Sequence, residues 1–205
     1  MVAVSTGLRE RKKADTRAAL AAAVLRLAVE KGFEHVTVEE VAAAADVSYR
    51  TFFNHFASKE EALLQPEGPD RPRLGDRLAE TDPGLPLLDA LRAAMRADLA
   101  RIEDDAATWR DRFSVIAATP ALLPRLVELG ATDERALAEA VAARTGTTAG
   151  TDLHPDLVAA VTTAAVRVAF MRWHAGTVPL AELVDEALDA VAAGLPTPPR
   201  KKKEQ

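Results

Sequence analysis

From Thr16 onward, apolar residues recur at Leu20, Val24, Leu27 and Ala28, a helical stripe that Gly32 ends just after Lys31. The next stretch, TVEEVAAAADVSYRTFFNHFASKEEALL from Thr37 to Leu64, writes three short helices with their caps in place. Thr37 with Glu40 forms a capping box, in which each side chain satisfies a backbone donor at a helix start. Ser48 is a second N-cap beyond the alanine run. Asp46 occupies the tight turn between the two, where a short polar residue tolerates positive φ. Ser58 with Glu61 repeats the box and opens a third helix, which limits the middle one to about two turns. A helix that short stands only by packing.

On the middle helix, Phe52 and Phe56 fall four apart on one buried face, with Val47 and Thr51 at its boundary. Ser48, Tyr49, Arg50, Phe53, Asn54 and His55 are left to point elsewhere. Arginine binds guanine O6 and N7 with two hydrogen bonds, and asparagine does the same with adenine N6 and N7. Arg50 and Asn54 at i and i+4 therefore suit neighbouring bases. Lys59 joins its charge to the free N–H groups of the next helix start, which suits a phosphate.

The pattern breaks over residues 66–86, where Pro66, Pro69, Pro72, Pro83 and Pro86 predict a linker or loop with at most a short helix near Leu74 to Glu80. It returns as Leu88, Leu91, Met95, Leu99 and Ile102, then as Trp109, Phe113 and Ile116 on a following helix. Pro120 and Pro124 open a further helical section in which Leu122, Leu123, Leu126 and Leu129 bury a face before Gly130, continued by Leu137 and Val141. Beyond the loop 145–151, a long helix enters through Asp152 and Pro155. Its residues Leu157, Val161, Ala164, Val168 and Met171 make a heptad-like seam, beside a stripe of small residues at Val158, Thr162, Ala165 and Ala169. The last helix offers Leu180, Leu183, Val184, Ala187, Leu188 and Val191 before Gly194. Two apolar faces on one helix need two partners. The chain is expected to be all-α.

The segment RKKADTRAALAAAVLRLAVEKGFEHVTVEEVAAAADVSYRTFFNHFASKEEALL resembles the DNA-binding domain of the TetR family of transcriptional regulators nearly residue for residue. The resemblance implies a helix-turn-helix domain over 1–64 with 48–55 in the major groove of double-stranded DNA. Thr16, Arg17, Thr37, His55 and Lys59 would lie near phosphates, and Ser48, Tyr49, Arg50, Thr51, Phe53 and Asn54 on the reading helix. Two departures stand out. Asp46 replaces the commoner glycine of the turn, and Phe53 stands where the family usually has tyrosine, so a hydroxyl contact to phosphate is missing.

The same resemblance implies a helical ligand-binding and dimerisation domain over 65–195, whose last two helices pair with those of a second subunit. Such a homodimer sets two reading helices about 34–36 Å apart, the spacing of a pseudo-palindrome. Any ligand that shifts that spacing weakens the DNA-bound state. RFSVIAATPALLPR from Arg112 to Arg125, with RALAEAVAARTG and Trp173, is similar to the TetR subgroup described as binding acyl-CoA-like ligands. A small hydrophobic ligand, an acyl-CoA by that resemblance, would meet Met95, Trp109, Phe113, Ile116, Phe170, Met171 and Trp173. Arg110, Arg112, Arg167 and Arg172 are the candidates for its polar end. Together these imply a ligand-responsive repressor, with a transcriptional activator or a ligand-independent DNA-binding protein as the alternative.

Charge adds detail. Residues 1–64 hold nine basic and nine acidic side chains, whereas 65–199 hold 13 against 21, within a total of −5. The basic residues Arg9, Arg11, Lys12, Lys13 and Arg17 cluster near the start, where they reach DNA if the chain there is an arm preceding the first helix. The tail 196–205, ending in RKKKEQ, is expected to be disordered. Alanine dominates, aromatics make up 4%, and cysteine is absent, so no disulfide or thiolate site is available. No apolar segment of membrane length and no signal sequence stand out along the chain, which predicts a cytoplasmic protein. His35, His55, His154 and His174 show no i, i+4 metal pair, and no nucleophile elbow or phosphate loop is present. No catalytic activity, metal or cofactor is expected.

Overall fold

In the computed structural model, which describes residues 7–67 and 71–196, the first helix starts well before its apolar stripe. It spans Leu8–Lys31 (α1), because the Arg, Lys, Glu and Ala residues ahead of Thr16 are strong helix formers even without an apolar face. Arg11, Lys12 and Lys13 thus lie exposed on a helix and not on an arm. A 3₁₀ turn at Phe33–His35 follows, then α2 (Val38–Ala44), α3 (Tyr49–Phe53), α4 (Lys59–Leu64), α5 (Leu74–Glu80), α6 (Leu87–Asp104), α7 (Ala106–Ala118), α8 (Leu122–Thr145), α9 (Leu153–Trp173) and α10 (Leu180–Ala192). No strand occurs among the described residues. Residues 1–6 and 197–205, which include most of the expected tail, lie outside them.

The chain forms two compact units and crosses between them three times. The first unit takes the described residues up to Pro72 together with Ala107–Thr132. Its core holds Leu20, Val24, Val41, Phe52, Phe56 and Leu63. The local signals hold here: Gly32 ends α1 at φ 85°, the Thr37–Glu40 capping box is closed, and Asp46 sits at φ 53°. At α4, Ser58 accepts from Glu61 N at 3.2 Å, but the Glu61 carboxylate reaches one residue further back, to Ala57 N at 2.8 Å. On α8, Leu122 is buried whereas Leu123 is exposed, so the expected four-leucine face is incomplete.

The second unit takes Arg73–Ala106 and the described residues from Asp133 onward. Close approach and ion pairs hold its smaller helices. A Cβ on Gly75 would lie 2.5 Å from the Ala136 carbonyl oxygen, so α5 and α8 touch backbone to backbone. Beside that contact, Arg73 pairs with Asp133 at 3.2 Å. Arg144 donates to Thr81 Oγ1 at 3.1 Å and to the Leu85 carbonyl at 2.7 Å. On α6, Arg92 pairs with Asp185 of α10 at 3.0 Å, and Glu103 accepts from Ala181 N at 3.2 Å in the first turn of α10.

On α9 the stripe of small residues faces the core of this unit, with Thr162, Ala165, Ala169 and Trp173 buried against α10. The seam turns outward: Leu157 is 52% exposed and Val168 49%, with Val161, Ala164 and Met171 half-buried. One expectation needs correcting. α9 is long and apolar enough to cross a membrane by length and composition, because its alanines, valines and threonines are interrupted by few charges. A core helix of a globular unit passes the same test.

Candidate nucleic-acid interface

α3 is five residues long and hangs from its cap. Ser48 Oγ accepts from Thr51 N at 3.1 Å and lies 2.8 Å from Thr51 Oγ1, which leaves both hydroxyls engaged at the helix start. Phe52 is buried beneath the helix, and Phe56 is buried just past its end, at a point the sequence had placed on the helix itself. Asn54 is the C-cap and keeps helical φ and ψ, so it remains stacked one turn beyond Arg50. Arg50 and Asn54 are both exposed. Beside this polar row stands an aromatic one. Tyr49 is 51% and Phe53 45% exposed, with ring centroids 5.0 Å apart at 62°.

The flanking cations expected near phosphates are engaged with carbonyls of the chain. Arg17 is 13% exposed, and its guanidinium lies 3.8 Å over the Phe56 ring. It donates to the His55 carbonyl and, at 3.1 Å each, to those of Gln65 and Pro66, and it pairs with Glu61 at 3.4 Å. One side chain of α1 thus ties the end of the α3 segment to the end of α4. The Lys59 ammonium donates to the Phe33 carbonyl at 3.0 Å and the Val36 carbonyl at 2.8 Å, 4.7 Å from the Phe33 ring. Both cations bind carbonyls at the ends of short elements, a role invisible to local patterning because the partners lie 23 to 49 residues away.

Three expected phosphate neighbours remain near the surface. Thr16 is half-buried and donates to the Lys12 carbonyl at 2.9 Å. Exposed Thr37 bonds Glu40, whose carboxyl is held down to about 2, first by its hydrogen bond from Lys31 and then by those from Thr37. His55 is half-buried with Nδ1 enclosed and unpartnered, and its pKa lies below the ordinary value. Burial is the main cause, and the nearby charges of Arg17 and Lys13 add to it. Both causes favour the neutral imidazole.

The seven apolar ligand candidates with Arg112 and Arg167, nine in all, divide between the units. Trp109, Arg112, Phe113 and Ile116 belong to the first, where Trp109 and Phe113 stack at 6.2 Å. Arg112 is buried there, donates to the Leu63 carbonyl, and lies 5.0 Å from the Trp109 ring. Met95, Arg167, Phe170, Met171 and Trp173 belong to the second. Trp173 is fully buried with Phe170 edge-on at 6.4 Å. Met95 lines a cleft of about 210 Å³ between α6 and α10, with Leu99, Val184, Arg96 and Glu103. Two larger open grooves, about 750 and 480 Å³, run along α1 and α7 and are lined by none of the nine.

Comparison with known proteins accords with this architecture. Residues 20–65 match the sequence profile described as bacterial regulatory proteins, tetR family, and residues 85–196 match the MftR C-terminal domain. The chain is 36% identical over 174 residues to the HTH-type transcriptional regulator TcmR of Streptomyces glaucescens, covering 82% of this chain and 77% of that one. It is 31% identical over 186 residues to MftR of Mycobacterium tuberculosis, covering 90% and 93%. Among solved structures, the fatty acid degradation regulator FadR of Bacillus halodurans superposes with a TM-score of 0.53 at 16% identity, covering 89% of this chain and 96% of that one. At that identity the likeness concerns the fold alone.

Proposed function

The chain belongs to the TetR family of bacterial transcriptional regulators, and from that premise we propose that it is a cytoplasmic repressor, binding a palindromic operator as a homodimer and released by a small hydrophobic ligand. Proteins of this family regulate transcription and are not enzymes. The observation that carries the proposal is the exposed face of α3, where Arg50 and Asn54 stand one turn apart above the buried Phe52 and Phe56. In this reading Tyr49, Arg50, Thr51 and Asn54 meet bases, and Thr16, Thr37 and His55 lie nearest the phosphates. Arg17 and Lys59 hold the helices that present them. Residues 1–64 are then the reading part, and 65–195 the part that answers to ligand and partner.

Support for the homodimer comes from the outward seam of α9. Leucine and valine at half exposure on one stripe, with Leu183, Ala187 and Val191 half-buried on α10, suit a second copy of the same two helices. For the ligand, an acyl-CoA is the class to try first. Met95, Phe170 and Met171 supply apolar surface, and Arg167 or Arg172 replaces Arg112, whose guanidinium serves the Leu63 carbonyl.

The test is fluorescence anisotropy on DNA from upstream of the protein's own gene at fixed salt, with and without a long-chain acyl-CoA. Tight binding that the acyl-CoA reverses is the expected result; binding indifferent to it removes that ligand class. Arg50→Ala should cost about 1–3 kcal/mol on the specific site and nothing on random DNA. Leu157→Asp with Val168→Asp should convert a dimer to a monomer in sedimentation equilibrium, and an unchanged mass would remove the proposed interface.

A further inference from the structure

The core side of α3 is already filled by Phe52 and Phe56, so the outer ring of Phe53 is not needed there. Its orientation is nonetheless fixed. Phe53 stands edge-on to Tyr49 at 5.0 Å and to Phe52 at 5.3 Å, and Phe52 is fully buried, so the exposed pair is footed on the core. A large apolar ring held half in water beside two base-reading side chains is a surface awaiting an apolar partner. Phe53 has no polar atom, so it distinguishes bases only by apolar contact. The one apolar group that base edges display in the major groove is the thymine C5 methyl.

We propose that Phe53, supported by Tyr49, reads a thymine methyl beside the base pairs met by Arg50 and Asn54. The row of i and i+4 aromatics then supplies a second kind of recognition next to the polar row. A cytosine in the same place carries no C5 methyl, so the ring loses its apolar partner, which turns the contact into discrimination as well as affinity. The inference rests on α3 being the helix that enters the groove.

The experiment uses the full-length chain and a duplex that it selects from a random pool. Each thymine is replaced in turn by uracil, which removes the methyl and nothing else. At one or two positions in each half-site the affinity should fall about fourfold, the worth of one buried methyl. Phe53→Ala, an exposed position where folding is not at risk, should weaken the parent duplex and erase the uracil effect; Tyr49→Ala should reduce it. Uracil without effect at every position overturns the inference, as does an undiminished uracil effect in Phe53→Ala. Arg50→Ala separates the causes. If it relaxes sequence preference while uracil is silent, only the thymine reading falls; if it leaves preference intact, the role of α3 falls and the thymine reading with it.

Discussion

The unit built on α1–α4 and the unit built on α9 and α10 are held together by different physics. In the first, cations are aimed at carbonyls: Arg17, Lys59 and Arg112 reach oxygens that short helices and turns leave open. Each such bond is directional and fixes one element against another, as a five-residue α3 with little buried surface of its own requires. In the second, ion pairs and Arg144 on the Leu85 carbonyl hold the smaller helices, but the α9 and α10 pair rests on apolar stripes with Trp173 at the centre, and Gly75 meets Ala136 backbone to backbone. Packing of that kind is less directional and leaves a whole seam of α9 uncovered. The first unit is specified by position and the second by area, and substitutions should tell them apart.

Trp173→Ala should produce the largest effect, a loss of about 3–5 kcal/mol of stability from a fully buried indole, measured by denaturant unfolding. A loss below about 1 kcal/mol would mean that area does not hold the second unit. Next comes Arg17→Met. It keeps the apolar stem but abandons three carbonyls, and should cost about 2–3 kcal/mol. In the same variant the slope of log affinity against log salt should not change, because no phosphate contact is lost. A slope smaller by about one would place the guanidinium on DNA instead.

Gly75→Ala sharpens the contrast from the other side. Alanine normally favours a helix interior over glycine, yet here the added methyl meets the Ala136 backbone and should destabilise by about 1–3 kcal/mol in thermal unfolding. A gain in stability would show that α5 and α8 can separate freely. The smallest effect belongs to Glu40, whose pair with Lys31 is open to solvent. Its folded pKa lies near 2 against an ordinary 4.5, so its contribution is complete above 4.5 and fades as pH falls toward 2. Glu40→Gln should flatten that part of a stability-against-pH curve, and an unaltered curve would discount the capping box as an acid-sensitive element.

What was legible in the sequence follows from range. Caps, glycine stops and the Asp46 turn are settled within four residues, and they stand where the residues put them. The short α5 was legible too, bracketed by prolines. Arg17 and Lys59 were legible as cations near a DNA-binding motif but not as staples, because their carbonyl partners are distant in sequence. The N-terminal reach of α1 escaped a reading based on apolar stripes, since charged helix formers carry no stripe. Periodicity likewise put Trp109, Phe113 and Ile116 on one face of a helix without saying which unit that face would join. On α9 it found both stripes but could not rank them; burial of Thr162 and Ala169 alongside exposure of Leu157 and Val168 does so.

The first unit draws residues 107–132 from beyond α5 and α6, so it is not one continuous stretch of chain. Arg112 sits on the Leu63 carbonyl, and Gln65 Nε2 donates to the Leu129 carbonyl at 3.0 Å. A chimera that grafts residues 1–64 onto the body of another regulator would inherit the carbonyl at Leu63 without the guanidinium buried against it. Recombination between relatives therefore meets a barrier at the apparent domain border. The first unit is heritable intact only when two separate stretches of the gene travel together.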